Sequence, residues 1–307
     1  MSDKPVIGFI GVGYMGHGMA ANVLKNGYTV HVKGHRNRVP VEDLVSKGAT
    51  ESASPREMAE ACDIIHICLS NSPQVEAVIR GEDGILASGA EGLVVIDSTT
   101  ADPSSTLALA AEMDAAGMTL VDAPLGRTPK EAEEGTLDAM VGAEQAVFDY
   151  VRPVIDCWAG TISHIGPVGS AHKMKLLMNF IGMGYAAIYS EALTLGAKVG
   201  ITPQTVKEVI GASRMSNGFF DTFMKYTIER DRDAHKFTIA NASKDVRYVA
   251  NMASEAGVVN IMGASVKHYF TQVEAIGHAD DYVPMLGDHV AALNGINMAE
   301  VVKKGEK

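Results

Sequence analysis

The sequence predicts an α/β protein in which an N-terminal doubly wound sheet is joined by a long helix to an all-α C-terminal domain. Short apolar runs alternate with amphipathic stretches as far as about residue 165, which is typical of βαβ units and a parallel sheet. The strand signal stops after Gly169, and helical periodicity without proline then runs from Ala171 to Val199. Because 307 residues suffice for two cores, we expect two domains, residues 1–166 and 167–307.

The individual elements follow from the same patterns. Apolar runs predict strands at Val6–Ile10, Tyr28–Val32, Asp63–Leu69, Leu93–Asp97, Thr119–Asp122 and Asp138–Val141. The stretches between them predict helices at Met15–Asn26, Val41–Lys47, Pro55–Ala61, Ser72–Ile79 and Ser104–Ala116. After the long helix, further helices are predicted at Pro203–Ala212, Thr238–Ala256, Ile261–Ile276 and Val283–Asn294, and the charged Lys303–Lys307 tail is expected to fray.

Composition narrows the class of protein. With 47% hydrophobic and 21% charged residues, the chain reads as an ordinary globular protein, and its net charge of −11 argues against general nucleic-acid binding. No run approaches the roughly 20 apolar residues that a membrane span requires. The N-terminus enters the first strand without room for a signal peptide, so we expect a cytoplasmic protein with no membrane partner.

Cysteine and histidine spacing gives no sign of a metal centre. The three cysteines, Cys62, Cys68 and Cys157, form no ligand cluster, and an odd number fits a reducing compartment better than a disulfide framework. The histidines that remain beyond the VKGHRNR segment, including His164, His172, His268 and His289, show no HxxxH or HxxE spacing. We therefore expect no catalytic metal.

A glycine loop follows the first predicted strand. The sequence GVGYMG places Gly11, Gly13 and Gly16 at GxGxxG spacing before a helix. Such glycines allow a tight turn and a close approach to a pyrophosphate, whose charge the helix N-terminus favours. The context predicts a Rossmann-type dinucleotide site rather than a glycine turn without a ligand. The expected contacts are Gly11, Val12, Gly13, Tyr14, Met15 and Gly16.

The end of the second predicted strand is basic. An NAD site usually has Asp or Glu there to bind the ribose 2′-hydroxyl. This chain reads VKGHRNR, which supplies Lys33, His35, Arg36 and Arg38 and no acid. Guanidinium groups bind a 2′-phosphate that a carboxylate would repel, so NADP(H) is favoured and NAD(H) remains the alternative. The pattern does not decide between Arg36 and Arg38, and a solvated basic loop is the other interpretation.

Polar residues follow the third and fourth predicted strands. The carboxyl ends of strands are where ligands bind in open α/β sheets. Leu69, Ser70, Asn71 and Thr99 are therefore candidate cofactor contacts, and Ser98 is a candidate substrate contact. Residues of this kind also serve as helix caps, and the sequence leaves both roles open.

Five segments together carry a family resemblance. In chain order they are GVGYMGHGMAANVLKNGY, IDSTTADP, DAPLGRTPKEAEEGTL, GSAHKMKLLMN and SKDVRYV. They resemble the β-hydroxyacid dehydrogenases, which include 3-hydroxyisobutyrate, tartronate-semialdehyde and sulfolactaldehyde reductases, over nearly the whole chain. The resemblance implies hydride transfer between a nicotinamide and a small anionic hydroxy acid or aldehyde. It also implies a Rossmann domain, a long connecting helix, an all-α domain and a homodimer or homotetramer.

The resemblance implies two catalytic residues on the long helix. Lys175 occupies the position of the family's catalytic lysine, and Asn179 follows four residues later on the same helix face. Lys175 would donate a proton to the developing alkoxide, and Asn179 would hold the substrate oxygen. Lys173 is a natural control, since it should face elsewhere. Met178 replaces the first asparagine of the family's usual pair, so any polar contact from that position is lost.

The substrate anion is expected at a second motif. Most family members read DAPVSGG where this chain has Gly126, Arg127 and Thr128, a triplet that resembles the sulfolactaldehyde reductase branch. A guanidinium, a hydroxyl and a loop N–H suit the three oxygens of a sulfonate, although an arginine also suits a carboxylate. By the resemblance, Lys244 would approach the nicotinamide or the substrate anion, and Asp245 would orient it; otherwise the pair is an ordinary charged helix surface.

Other functions remain open at this point. Within the family, the alternatives to a 3-sulfolactaldehyde reductase are reductases of 3-hydroxyisobutyrate type or of tartronate semialdehyde (2-hydroxy-3-oxopropionate). Some relatives of this fold reduce imines, although they generally lack the lysine. A non-catalytic NADP-binding module would have no need for the Lys175/Asn179 pair.

Overall fold

The computed structural model describes residues 4–305 in two compact units, the first ending at Lys175 and the second beginning at Leu176. The strands are β1 Ile7–Ile10, β2 Val30–Lys33, β3 Thr50–Glu51, β4 Ile64–Ile67, β5 Val94–Asp97, β6 Thr119–Asp122, β7 Leu125–Gly126, β8 Leu137–Gly142 and β9 Ala159–Gly166. The helices among them are α1 Gly16–Lys25, α2 Val39–Ser46, α3 Pro55–Ala61, α4 Ser72–Arg80, α5 Pro103–Ala115, α6 Pro129–Glu134 and α7 Gln145–Ile155.

All nine strands that the described chain contains form one sheet, in the order β3-β2-β1-β4-β5-β6-β8-β7, with β9 beside β8. The first six strands are parallel, whereas β8 runs antiparallel to β6 and β7. The predicted parallel sheet therefore has an antiparallel edge, which the sequence patterns did not predict. The sequence missed β3 and β7 because each has two residues, and it missed β9 because most of that strand is exposed and lacks an apolar run.

Two apolar cores cover the two faces of this sheet. Strands β1, β4 and β5 are wholly buried, and side chains that alternate along them point into different cores. Phe9 and Ile96 lie in the core on one face, and Ile10 and Val95 lie in the core on the other. The predicted doubly wound sheet is confirmed, since only a sheet buried on both faces needs continuous apolar strands.

The second unit is helical. Its helices follow α8, Ser170–Val199, and are α9 Pro203–Gly211, α10 Gly218–Glu229, α11 Ile239–Glu255, α12 Ile261–Ala275, α13 Leu286–Leu293 and α14 Met298–Gly305. Phe220, Phe223 and Phe270 are fully buried in its core. The sequence missed α10 and α14. The predicted fraying is wrong for residues 303–305, which are helical, while residues 306–307 lie outside the described part. Across residues 4–305, no helix has both the length and the apolar character to cross a membrane.

Candidate active site

The glycine loop has the geometry of a dinucleotide cradle. Gly11 has φ of +96°, and a Cβ on it would lie 2.2 Å from the carbonyl oxygen of Cys68. A Cβ on Gly16 would lie 2.0 Å from the carbonyl oxygen of Gly11. The turn itself therefore requires both glycines. A Cβ on Gly13 would meet nothing within 4 Å, so this glycine leaves an open face over the loop.

The loop leads into a helix start that suits an anion. Helix α1 has no acidic residue in its first turn, so its dipole and unpaired N–H groups are not neutralised locally. Among the other predicted contacts, Tyr14 is 89% exposed, Val12 is buried, and Met15 is half-buried against the core. The chain here fits the pyrophosphate of a dinucleotide.

An acid from β3 pairs with one arginine of the basic segment that follows β2. Arg38 makes two hydrogen bonds of 2.7 Å to the carboxylate of Glu51 in β3. The hydrogen bond from Arg38 is the main reason that the pKa of Glu51 is lowered. His35 and Arg36 are exposed, and Arg36 makes no ion pair with any residue in the described part of the chain. Strand β3, which the sequence patterns missed, thus makes the two arginines different: the guanidinium of Arg38 is bound to Glu51, whereas that of Arg36 is not.

The carboxyl ends of β4 and β5 are tied together by hydrogen bonds. The N–H of Leu69 donates to the hydroxyl of Thr99 at 3.0 Å, and the N–H of Thr99 donates to the buried carboxylate of Asp97 at 2.9 Å. Burial is the main cause of the raised pKa of Asp97. The hydroxyl of Ser98 is buried and has no hydrogen-bond partner among residues 4–305. A buried hydroxyl without a protein partner is a candidate contact for a ligand.

Two further predicted cofactor contacts, Ser70 and Asn71, form hydrogen bonds with the first turn of α4. Asn71 is its N-cap and accepts a hydrogen bond of 3.1 Å from the N–H of Gln74. The N–H of Ser70 donates to the side chain of Gln74 at 3.1 Å. The capping role left open by the sequence is therefore present for Asn71.

The predicted anion triplet lies at the end of β7. Arg127 has φ of +77°, which is rare for a residue other than glycine, and its Nε donates to Asp138 at 3.0 Å. The Thr128 hydroxyl donates to the carboxylate of Glu131, which also accepts the Thr128 N–H at 3.0 Å in a capping box of α6. Gly126 pairs with Asp138 in the sheet. The Thr128 hydroxyl and N–H are thus both engaged by Glu131 at the start of α6.

The start of α8 is fixed by a buried acid whose role no sequence pattern predicts. Asp122 is fully buried and accepts the N–H of Gly169 at 2.6 Å and the N–H of His172 at 2.7 Å. The ring of His172 is bonded in turn to the hydroxyl of Thr106 at 2.8 Å. Asp122, the first residue of the DAPLGRTP segment, therefore holds the first turn of the helix that carries Lys175. Only a tertiary contact reveals this function of Asp122.

Lys175 and Lys173 differ in exposure. Lys175 is half-buried, whereas Lys173 is exposed. Side chains two residues apart on a helix do not share a face. Met178, which replaces the family's first asparagine, is 46% exposed.

A buried ionic network surrounds Asn179. The amide Nδ2 of Asn179 donates to Oδ2 of Asp245 at 2.6 Å, and Lys244 Nζ lies 3.1 Å from Oδ1 of the same carboxylate. The side chains of Lys244 and Asp245 are 12% and 1% exposed. The pair is therefore not an ordinary charged helix surface. The neighbouring hydroxyl of Ser243 is buried and lacks a hydrogen-bond partner within residues 4–305.

Comparisons with known proteins agree with this architecture. Residues 6–166 match the model for the NAD binding domain of 6-phosphogluconate dehydrogenase, and residues 169–287 match the one for NAD-binding of NADP-dependent 3-hydroxyisobutyrate dehydrogenase. The chain is 35% identical to 2-(hydroxymethyl)glutarate dehydrogenase of Eubacterium barkeri, over 90% of this chain and 92% of that protein. It is 29% identical to 3-sulfolactaldehyde reductase of Escherichia coli (strain K12), over 88% and 91%.

A solved structure supports the fold. The 3-hydroxyisobutyrate dehydrogenase of Mycobacterium tuberculosis superposes with a TM-score of 0.83 at 24% identity, covering 93% of this chain and 99% of that one. Fold, glycine loop and matched domains together define an NAD(P)-binding oxidoreductase that acts on hydroxyl groups of hydroxy acids. The chain belongs to the β-hydroxyacid dehydrogenase family.

Proposed function

We propose that the protein reduces a small anionic aldehyde to the corresponding hydroxy acid with NADPH, and that Lys175 gives the proton to the substrate oxygen. The observation that carries the proposal is the Asp245 carboxylate, which holds both Asn179 and Lys244 in a nearly dry environment. Burying such charges costs stability that apolar side chains would not cost. A binding or catalytic requirement explains why this chain keeps them.

Each polar group then has a defined chemical role. The nicotinamide supplies the hydride when it is bound. A carboxylate only accepts hydrogen bonds, so it fixes the amide of Asn179 with its nitrogen toward Asp245, and the second N–H of that amide is left for an oxygen. Lys175 lies one helical turn earlier and donates the proton that the alkoxide requires. Lys244, oriented by Asp245, attracts negative charge on the substrate or cofactor.

Arg127 is proposed to bind the substrate anion. Its Nε is used by Asp138, and no other hydrogen-bond partner is found for its guanidinium among residues 4–305, which leaves the two Nη groups for a bidentate contact. A sulfonated C3 aldehyde, 3-sulfolactaldehyde, is the first candidate substrate because of the Gly126–Thr128 triplet. Since Glu131 engages the Thr128 hydroxyl, the geometry supports an anion in general more strongly than a sulfonate.

NADP(H) is proposed as the preferred cofactor, with Arg36 as the contact to the 2′-phosphate. Arg36 is exposed beside the end of β2, whereas both Nη groups of Arg38 are taken by Glu51. A guanidinium without a carboxylate partner is the stronger site for a phosphate dianion. The Gly11–Gly16 loop would hold the pyrophosphate.

Self-association is proposed through α8. Its exposed apolar residues lie four or seven positions apart, as in a helix that packs against another helix. They are Leu177, Ile181, Ile188, Leu195 and Val199. A homodimer or homotetramer would cover this face, and light scattering coupled to gel filtration measures the mass directly.

A substrate panel tests the proposed reaction. It contains 3-sulfolactaldehyde, tartronate semialdehyde, methylmalonate semialdehyde, succinate semialdehyde, 2-(hydroxymethyl)glutarate in the oxidative direction and a cyclic imine, each with the phosphorylated and unphosphorylated cofactor. We expect the highest kcat/KM for an anionic aldehyde with NADPH. Turnover of the imine alone would indicate an imine reductase, and NADPH binding without any turnover would indicate a non-catalytic module. At least tenfold preference for NADH would contradict the role of Arg36.

A further inference from the structure

A second group of potential ligands lies in the helical unit, in the segment that connects α12 to α13 and in α13 itself. His278 Nδ1 and His289 Nε2 lie 3.1 Å and 2.9 Å from the same oxygen, Oδ2 of Asp281. The imidazole ring centroids are 4.4 Å apart. All three ligand atoms lie within 4.8 Å of one another. Two imidazoles and one carboxylate thus converge on one small volume.

We propose that His278, Asp281 and His289 bind a divalent transition-metal ion, with Zn²⁺ as the best match. Two histidine nitrogens and a carboxylate oxygen are a donor set typical of zinc, which leaves one position for water. Bonds of about 2.0–2.2 Å in a tetrahedral site place neighbouring ligand atoms roughly 3.3–3.5 Å apart. The observed separations from Asp281 need to open by only a few tenths of an ångström.

The surroundings allow an ion to enter. His278 is 49% exposed, so solvent reaches one side of the cluster, while Asp281 and His289 are 23% and 13% exposed. The one competing cation recorded in the described residues, Arg232, lies 3.6 Å from the other carboxylate oxygen and is 64% exposed. Arg232 therefore lowers the affinity for an ion without occupying the oxygen that both histidines face.

The site is connected through the backbone to the start of α11. The carbonyl oxygen of Asp281 accepts the N–H of Ile239 at 2.7 Å, and that of Ala279 accepts the N–H of Ala240 at 2.9 Å. An ion bound at Asp281 would thus fix the segment that caps the helix carrying Lys244 and Asp245. The ion has a structural role in this proposal and takes no part in hydride transfer.

The test is direct metal binding to the untagged full-length chain. Equilibrium dialysis with Zn²⁺ should give one ion per chain, and Co²⁺ substitution should give the visible spectrum of a tetrahedral site with nitrogen and oxygen ligands. His278→Gln, Asp281→Asn and His289→Gln should each weaken binding by at least about 100-fold, because even residues behind the ligands contribute 10–100-fold. His278→Gln changes a half-exposed side chain, so loss of folding does not confound it.

Two matched variants serve as controls. His268 is an exposed histidine on α12, and Asp280 is an exposed aspartate beside Asp281. His268→Gln and Asp280→Asn should bind Zn²⁺ like the unchanged chain. Absence of stoichiometric binding, or equal weakening by His268→Gln and His289→Gln, would overturn the proposal. Neither readout depends on turnover, so it is independent of the proposed reaction.

Discussion

Asp245 connects two predicted site residues that are far apart in the sequence. Its carboxylate accepts a hydrogen bond from Asn179 on α8 and pairs with its chain neighbour Lys244. Removing its charge leaves Lys244 buried without its counter-ion and lets the amide of Asn179 rotate. Asp245 is thus a positioning residue for the proposed reaction.

Asp245→Asn should lower kcat with the preferred aldehyde by roughly 10–100-fold, since hydrogen bonds to charged groups contribute about 1.5–3 kcal/mol. The KM for NADPH should change less than kcat, and steady-state kinetics at saturating cofactor separates the two. Glu255→Gln, an exposed change on the same helix, is the control. A variant with the kcat of the unchanged enzyme would exclude a positioning role.

Arg36 and Arg38 should differ in their effect on cofactor choice. Arg36→Ala should raise the KM for NADPH by roughly tenfold, as expected for loss of one charged hydrogen bond, and leave that for NADH nearly unchanged. Glu51→Gln should instead improve NADPH binding, because it releases the guanidinium of Arg38. Equal responses of the two cofactors to Arg36→Ala would contradict the assignment.

Among the elements, the glycine loop contains glycines that the fold requires and one glycine that only the cofactor would require. Gly11 and Gly16 are enclosed by backbone atoms, whereas Gly13 has open space where a side chain would stand. Gly13→Ala should therefore leave the free energy of unfolding nearly unchanged but weaken NADPH binding by tenfold or more, through contact with the pyrophosphate. Isothermal calorimetry and urea titration measure the two quantities.

Gly211→Ala is the control for this substitution, because Gly211 also has nothing within 4 Å of its added Cβ and lies in α9. It should leave cofactor affinity unchanged and should not lower stability, since alanine is favoured over glycine in a helix. Unaltered NADPH affinity in Gly13→Ala would mean that the loop does not approach the cofactor through this face.

His17 links three helices of the first unit. It lies on α1, and its ring nitrogens are 2.7 Å from Asp43 of α2 and 2.7 Å from Glu133 of α6. Burial lowers the pKa of His17, but the hydrogen bonds to Glu133 and Asp43 outweigh burial and leave the pKa raised. The protonated ring is therefore the form that the folded protein favours.

The stabilisation from His17 should depend on pH. Because its folded-state pKa is raised above 6.5, its contribution is fully present below that pH and is lost as pH rises through the raised value. His17→Asn should therefore lower the free energy of unfolding more at about pH 6 than at about pH 9. Urea titrations at both pH values test this, with His268→Asn as control. A loss of equal size at both would exclude the protonated bridge.

For the molecule as a whole, patterning predicted the fold well and the contacts within the candidate site poorly. Strands such as β4 and β5 are continuous apolar runs, so the sequence alone reveals them. The partners of Arg38 and Thr128 are carboxylates brought in by β3 and by α6, two elements that the patterns missed. The capping of α8 by Asp122 spans 47 residues of sequence, and no local rule contains such a contact.

Lys175, and not Lys173 two residues earlier on α8, is proposed to give the proton to the substrate oxygen. Turnover of the preferred aldehyde by two single variants tests this most directly. Lys175→Ala should lower kcat by about 10²–10⁴-fold while the Kd for NADPH stays nearly constant, because the proton donor is lost and the cofactor loop is not. Lys173→Ala, at an exposed position two residues earlier, should keep the kcat of the unchanged enzyme. An unchanged kcat in Lys175→Ala would contradict the account.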